Sequence, residues 1–206
     1  MRIRQFSGLS LNNDEKLDMM EDDKYSEILR GESMFKQFMP SEHAKSIFDI
    51  KPEELKAKGI KGIITDLDNT LVEWDRPLAT PELIIWFEEM RAQGILVTIV
   101  SNNKEIRVKS FADPLQIPFI FEARKPFRRA FHRAAAAMGI NREETVVIGD
   151  QLLTDILGGN RGGYHTILVV PVAKTDGFWT KMNRRIERRI LRYLKRKGMI
   201  EWEDNN

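Results

Sequence analysis

Short apolar runs recur through the middle of the chain, separated by stretches with helix signals. The run from Gly62 to Asp66 is β-branched and apolar, the pattern of a buried strand. Thr80-Pro81-Glu82 predicts a helix start, with a hydroxyl at the N-cap, proline in the first turn and an acid at the positive end. Gly94 suits its C-terminus. Residues 95–100 read as the next strand, 104–111 as a helix and 118–121 as a short strand. A helix over 126–138 closes at Gly139. Residues 145–148 read as a strand, 152–160 as a helix and 165–170 as a further strand. This alternation predicts an α/β fold, a doubly wound parallel sheet joined by right-handed crossovers and covered on both faces. No internal repeat interrupts it.

Composition adds boundaries. With 206 residues and 42% apolar content, the chain can build one domain with short appendages. No apolar run reaches the roughly 18–20 residues that cross a bilayer. The first residues lack the apolar stretch of a signal peptide. The absence of cysteine excludes disulfides, a thiol nucleophile and a thiolate metal site, and the whole points to the cytoplasm.

The net charge of +2 hides an asymmetry: residues 1–33 carry five basic and eight acidic side chains, whereas 181–197 carry nine basic and one acidic. Residues 1–33 are polar and aperiodic, and are expected to lie outside a folded domain of 34–175. Arg30-Gly31-Glu32 can be encoded by a purine-rich ribosome-binding sequence, so the natural start is expected at Met34. Residues 176–206 form the third segment, a basic helix with its tail.

Ligands of such sheets bind beyond the carboxyl ends of the strands. Those ends carry Asp66, Asp68, Asn69 and Thr70; then Ser101, Asn102 and Asn103; then Lys125; then Gly149, Asp150 and Asp155. Asp66 and Asp68 are two residues apart, so an extended backbone turns them the same way. Neighbouring carboxylates repel unless a cation lies between them, and oxygen ligands of this kind suit Mg²⁺ with a substrate phosphate. A carboxylate can then attack phosphorus, a second can move the proton, a lysine can fix charge, and a serine with backbone N–H groups can hold phosphoryl oxygens. Each has a plainer reading: a strand-end turn for the two acids, a helix cap for Ser101, a surface cation for Lys125, a surface acid for Asp155.

Asp66-Leu-Asp-Asn-Thr70, Ser101, Lys125-Pro126 and Gly149-Asp150 with Asp155 together resemble the four motifs of the haloacid dehalogenase superfamily of phosphatases. The resemblance covers about 62–170. It implies Asp66 as nucleophile, Asp68 as acid–base and Ser101 and Lys125 as further catalytic residues. It also implies Mg²⁺ held by Asp66, the backbone carbonyl of Asp68, and Asp150, with Asp155 in support. A narrower resemblance over 34–194 adds Met34 to Pro40, Ser101-Asn-Asn103, Arg124-Lys-Pro126 and the run from Gly149 to Arg161, and is to the YqeG group of bacterial phosphatases. That group is similar to phosphatidylglycerophosphate phosphatases, so the implied function is release of phosphate from an anionic phospholipid. A soluble phosphomonoester is the alternative substrate.

Thr70, Asn102, Trp74 and Arg76 are candidate substrate contacts. Neither the stretch from Thr70 to Ser101 nor that from Ser101 to Lys125 has room for a large cap domain, so the site is expected to be open. His43, His132 and His165 are too scattered to predict a metal site. Gly158-Gly159 and Gly162-Gly163 read as turn or close-packing positions. In 181–197, Met182, Ile186, Ile190 and Tyr193 with Leu194 repeat at helical spacing among basic residues. The helix either docks with a solvated basic face or meets an anionic surface. Peripheral contact with the inner face of the membrane is one such meeting, flanked by Phe178, Trp179 and Trp202. Contact with RNA or the ribosome is the other. A receiver-type signalling domain also clusters acids, a hydroxyl and a lysine, but on a middle strand rather than the first.

Overall fold

The computed structural model describes residues 35–173, 178–196 and 198, with 178–186 described by backbone only. The segment 1–33, Met34, Trp202, and the side chains of Phe178, Trp179, Met182 and Ile186 lie outside the described residues. Phe35 and Lys36, which belong to a separate unit Met1–Lys36, are helical. Everything below concerns the unit Gln37–Asn206.

Six parallel strands form one sheet: β1 Glu42–Ala44, β2 Gly62–Thr65, β3 Leu96–Val100, β4 Phe119–Ile120, β5 Thr145–Gly149 and β6 His165–Val169. Their order is β1-β6-β5-β2-β3-β4. Helices α1 Pro52–Ala57, α2 Pro81–Ala92, α3 Glu105–Ala112, α4 Arg129–Met138, α5 Leu157–Gly162 and α6 Phe178–Arg196 make the connections and the C-terminal arm. The expected doubly wound sheet is therefore present. The strand order reverses at β2, with β3 and β4 on one side and β5 and β6 on the other, and such a switch opens a crevice at the strand ends.

The core explains the apolar runs. Ile63 packs with Leu83, Trp86, Phe87 and Met90 of α2 and with Val108 and Phe111 of α3. Ile64 faces the opposite way, against Ala130, Phe131 and Ala134 of α4. Both faces of β2 are covered, so its sequence shows no polar alternation.

Boundaries shift in instructive places. Thr80 caps α2 as expected, its hydroxyl accepting from the Leu83 N–H at 3.2 Å. Helix α4 starts at Arg129 and not at Pro126, because Arg124 is left-handed (φ 56°) and the chain first closes a turn from Phe127 N–H to Arg124 C=O. The expected helix over 152–160 is a wide π turn, Leu152–Ile156, running into α5. Strand β1 was not foreseen: its three residues, Glu-His-Ala, carry no apolar pattern, and it pairs only at the sheet's edge with β6. Among the described residues no helix is long and apolar enough to cross a membrane.

Candidate active site

The residues expected at strand ends converge at the carboxyl end of β2. The Asp66 N–H donates to Ile148 C=O (3.0 Å), which extends the β2–β5 ladder by one rung and fixes where the loop begins. Lys125 Nζ lies 2.8 Å from Asp66 Oδ1 and 2.6 Å from Asp155 Oδ1. Asn102 holds the lysine's backbone: Lys125 N–H donates to Asn102 Oδ1 (2.7 Å) and Asn102 Nδ2 donates to Lys125 C=O (3.3 Å). Asp150 follows β5, and its Oδ1 accepts from the Thr70 hydroxyl at 3.0 Å. The π turn brings Asp155 back toward its own strand, where Oδ2 accepts from the Gln151 N–H (3.2 Å). A Cβ at Gly149 would overlap the Asp155 carboxyl, so only glycine lets that carboxylate lie against the strand end.

Asp66, Asp150 and Asp155 are all buried, and one oxygen from each lies within 4.8 Å of the others. Three carboxylates thus face one buried ammonium. Burial pushes the Asp155 carboxyl up, Asp66 adds to the rise and Lys125 opposes it, leaving a value of about 6. Burial pulls the Lys125 ammonium down, but the carboxylates of Asp155 and Asp66 more than reverse that and raise it. Negative charge remains in excess, and closely spaced hard oxygen donors fit a divalent cation such as an oxygen-loving alkaline-earth ion.

Asp68 has a different environment. The β2 ladder stops at Thr65, and the carboxylates of Asp66 and Asp68 take separate partners. Arg107 approaches Asp68 Oδ1 through Nε (3.0 Å) and Nη2 (2.8 Å), and Asn103 Nδ2 donates to Oδ2 (3.0 Å). Burial raises the Asp68 carboxyl most; Asn103 opposes, Asp66 raises it further and Arg107 opposes, with a net rise. A carboxyl held up in this way is suited to carrying a proton. Arg107 was not among the expected residues. Its signal was present, because a cation in the first turn of a helix works against the macrodipole unless it has an anionic partner.

The remaining candidates separate into two groups. Ser101 is buried at the end of β3, with its Oγ accepting from the Asn103 N–H (3.1 Å), a turn contact and not a helix cap. Thr70 and Asn102 face their neighbours Asp150 and Lys125, as given above. Trp74 and Arg76 lie farther along the loop: the Trp74 N–H donates to Asn69 Oδ1 (3.3 Å), and Arg76 pairs with Glu73 at the surface. Of the histidines, His132 meets the Tyr164 hydroxyl and His165 meets Glu42. Cβ atoms at Gly158 and Gly159 would run into Phe131 and Thr166, which makes both close-packing glycines.

The basic helix α6 reaches this site through one acid. Glu187, 3% exposed, accepts from the Leu153 N–H (3.1 Å) at the start of the π turn. Leu191 packs against Leu152, Ile156 and Leu168, and Leu194 is buried. The docked face thus keeps Leu194 of the expected stripe, with Ile190 and Tyr193 half-buried, and adds Glu187 and Leu191 to it. An acid was not expected on it.

The model of the HAD-hydrolase-like family matches residues 122–171. Over 169 residues, 82% of this chain, the sequence is 68% identical to a probable phosphatase, YqeG, of Bacillus subtilis (strain 168), and covers 98% of it. The chain belongs to this family of haloacid dehalogenase phosphatases. As a member it is a phosphatase, and its four strand-end motifs are those whose geometry is described above. The phosphatase is also 29% identical, over 78% of its length, to phosphatidylglycerophosphate phosphatase 1, chloroplastic/mitochondrial, of Arabidopsis thaliana, and spans about half (49%) of that protein. Among solved structures it is similar to the cobalt-bound deoxy-D-mannose-octulosonate 8-phosphate phosphatase of Haemophilus influenzae, with a TM-score of 0.48 and 17% identity over 66% of this chain and 90% of the other.

Proposed function

We propose that this phosphatase hydrolyses the terminal phosphate monoester of phosphatidylglycerophosphate through an aspartyl-phosphate on Asp66, with Mg²⁺ as cofactor. The observation that carries the mechanism is the buried trio Asp66, Asp150 and Asp155 with Lys125 bridging two of its members. Mg²⁺, held by Asp66, Asp150 and the backbone carbonyl of Asp68 with Asp155 in support, would offset charge on the phosphoryl group. An Asp66 oxygen attacks phosphorus while the bond to the leaving oxygen breaks, and Asp68 gives that oxygen its proton. Water then attacks the aspartyl-phosphate, its proton passes to Asp68, and inorganic phosphate leaves with Asp66 restored. Lys125 aims Asp66 through their 2.8 Å ion pair, and Ser101 with adjoining N–H groups receives phosphoryl oxygens. Thr70 and Asn102 act one step back, by orienting Asp150 and Lys125. Trp74 and Arg76, farther along the same loop, are candidate contacts for the rest of the substrate.

Two features support a lipid substrate. The chain resembles the plant phosphatidylglycerophosphate phosphatase in sequence. Only α2 and β3 lie between Thr70 and Val100, and only α3, a single 3₁₀ turn and β4 between Ser101 and Lys125, so among the described residues no cap domain is inserted over the cleft. A head group can enter such a site while its acyl chains stay in the bilayer. Phosphate release from phosphatidylglycerophosphate in mixed micelles, beside a panel of soluble phosphomonoesters, tests the reading. The lipid should be turned over with the highest kcat/KM, and a soluble ester that outruns it would move the assignment there.

A further inference from the structure

Among the described residues, ten large apolar side chains stand exposed: Trp74, Leu78, Ile84, Ile85, Leu96, Ile106, Phe121, Phe127, Val170 and Val172. Exposed apolar residues scattered singly are ordinary. Their distribution here is not even. Trp74 and Leu78 lie between β2 and α2, Ile106 in the first turn of α3, Phe121 and Phe127 between β4 and α4, and Val170 and Val172 directly after β6. Because every strand is parallel, all these connections leave from the carboxyl end of the sheet, the end that holds Asp66. Seven of the ten therefore ring the catalytic cleft, on both its β6 side and its β4 side.

The ring is built into the nucleophile loop. Asn69 is left-handed (φ 67°) and buried, and receives two N–H groups: Trp74 N–H on Oδ1 (3.3 Å) and Val172 N–H on its backbone oxygen (2.8 Å). One residue of the catalytic loop thus sets two exposed apolar side chains, from two separate connections, beside Asp66. On the β5 and β6 side of the sheet, α6 is anchored on the π turn by Glu187 and Leu191. Its outward residues, Arg188, Arg189, Arg192, Lys195 and Arg196, are all cationic.

We propose that this rim is a docking face for an anionic phospholipid bilayer. The apolar side chains enter the interface around the cleft, and the basic face of α6 lies against the head groups. The proposal rests on the lipid-substrate reading. Aromatic and aliphatic side chains on separate loops enter a bilayer interface one at a time, and cationic residues beside them add attraction. A second copy of the chain fits less well, since a stable protein interface needs a continuous apolar centre. Here polar catalytic groups and exposed charges of both signs, Asp75, Glu105 and Glu122 beside Arg76, Lys104 and Arg124, divide the apolar ones.

The test uses the full chain with vesicles of equal parts phosphatidylglycerol and phosphatidylcholine. Ile106→Ser, Phe127→Ser and Val172→Ser are combined, one from each of three connections, none of them a catalytic residue. Vesicle partitioning should fall at least about tenfold, because each substitution removes apolar surface from the interface, while turnover of p-nitrophenyl phosphate stays at the wild-type level. High salt should weaken wild-type binding only in part. Partitioning unchanged in the triple variant overturns the proposal, as does complete loss of wild-type binding in salt, which leaves the basic helix as the sole contact. An equal fall in p-nitrophenyl phosphate turnover assigns these residues to the cleft instead and also overturns it. A shift from dimer to monomer in the variant without vesicles assigns the face to a second copy. If the wild type docks through the rim yet releases no phosphate from phosphatidylglycerophosphate, the substrate reading fails and the docking face stands.

Discussion

The carboxylate cluster and helix α6 meet at one turn, Leu152–Ile156, and treat charge in opposite ways. The cluster buries Asp66, Asp150 and Asp155 with one ammonium, at a large desolvation cost that packing alone would not favour. The helix keeps Arg188, Arg189, Arg192, Lys195 and Arg196 in water and buries Glu187 as a cap on the turn that carries Asp155. Charge that is buried together and left unbalanced points to chemistry. Charge that is exposed and of one sign points to a surface partner. The turn between them is where the two couple.

The strongest way to break this contrast is at Asp66, the proposed nucleophile. Asp66→Asn should lower phosphate release by at least about 10⁴-fold while circular dichroism and Tm stay near wild type, since the substitution removes charge from a crowded cluster. Turnover that survives would take Asp66 out of its role. Lys125→Met leaves the buried carboxylates without their ammonium. It should cost about 3–5 kcal/mol in urea unfolding, with added Mg²⁺ recovering part of the loss. Arg189→Ala on the exposed face of α6 should change stability by less than about 0.5 kcal/mol. Equal effects of these two substitutions would erase the distinction between buried and solvated charge.

Smaller effects probe the junction and the sheet's edge. Glu187→Ala leaves the Leu153 N–H without this acceptor and should cost about 1–3 kcal/mol. Glu187→Gln keeps an acceptor and should recover most of it; no recovery would mean that the cap is not what Glu187 contributes. At the edge, burial raises Glu42, but Lys58 and His165 outweigh it and hold the carboxyl below its ordinary value of 4.5. A depressed acid stabilises the fold above its ordinary pKa, and that stability is lost as pH falls through the folded value. Glu42→Gln should therefore lower Tm at pH 7, by no more than about 1 kcal/mol in stability for so exposed a pair. The difference should close as pH drops below 4.5. A gap that widens in acid would contradict the assignment.

The sequence by itself determined the alternation of strands and helices, because a strand covered on both faces must be apolar at every position, as Ile63 and Ile64 are. It also determined which residue types stand at the strand ends, because only there can a buried backbone hand over to polar side chains. Tertiary structure decided what each of those side chains touches. Asp66 and Asp68 are equivalent in spacing, yet one meets Lys125 and the other Arg107, a residue 39 positions away. Strand β1 exists only because β6 offers it an edge, and Glu187 becomes a cap only because α6 folds back onto the turn after β5. The physical reason is the same in each case. Local propensity and periodicity act over a few residues, whereas the partner that satisfies a buried charge or an N–H group is chosen by proximity in space, which the order of residues along the chain does not display.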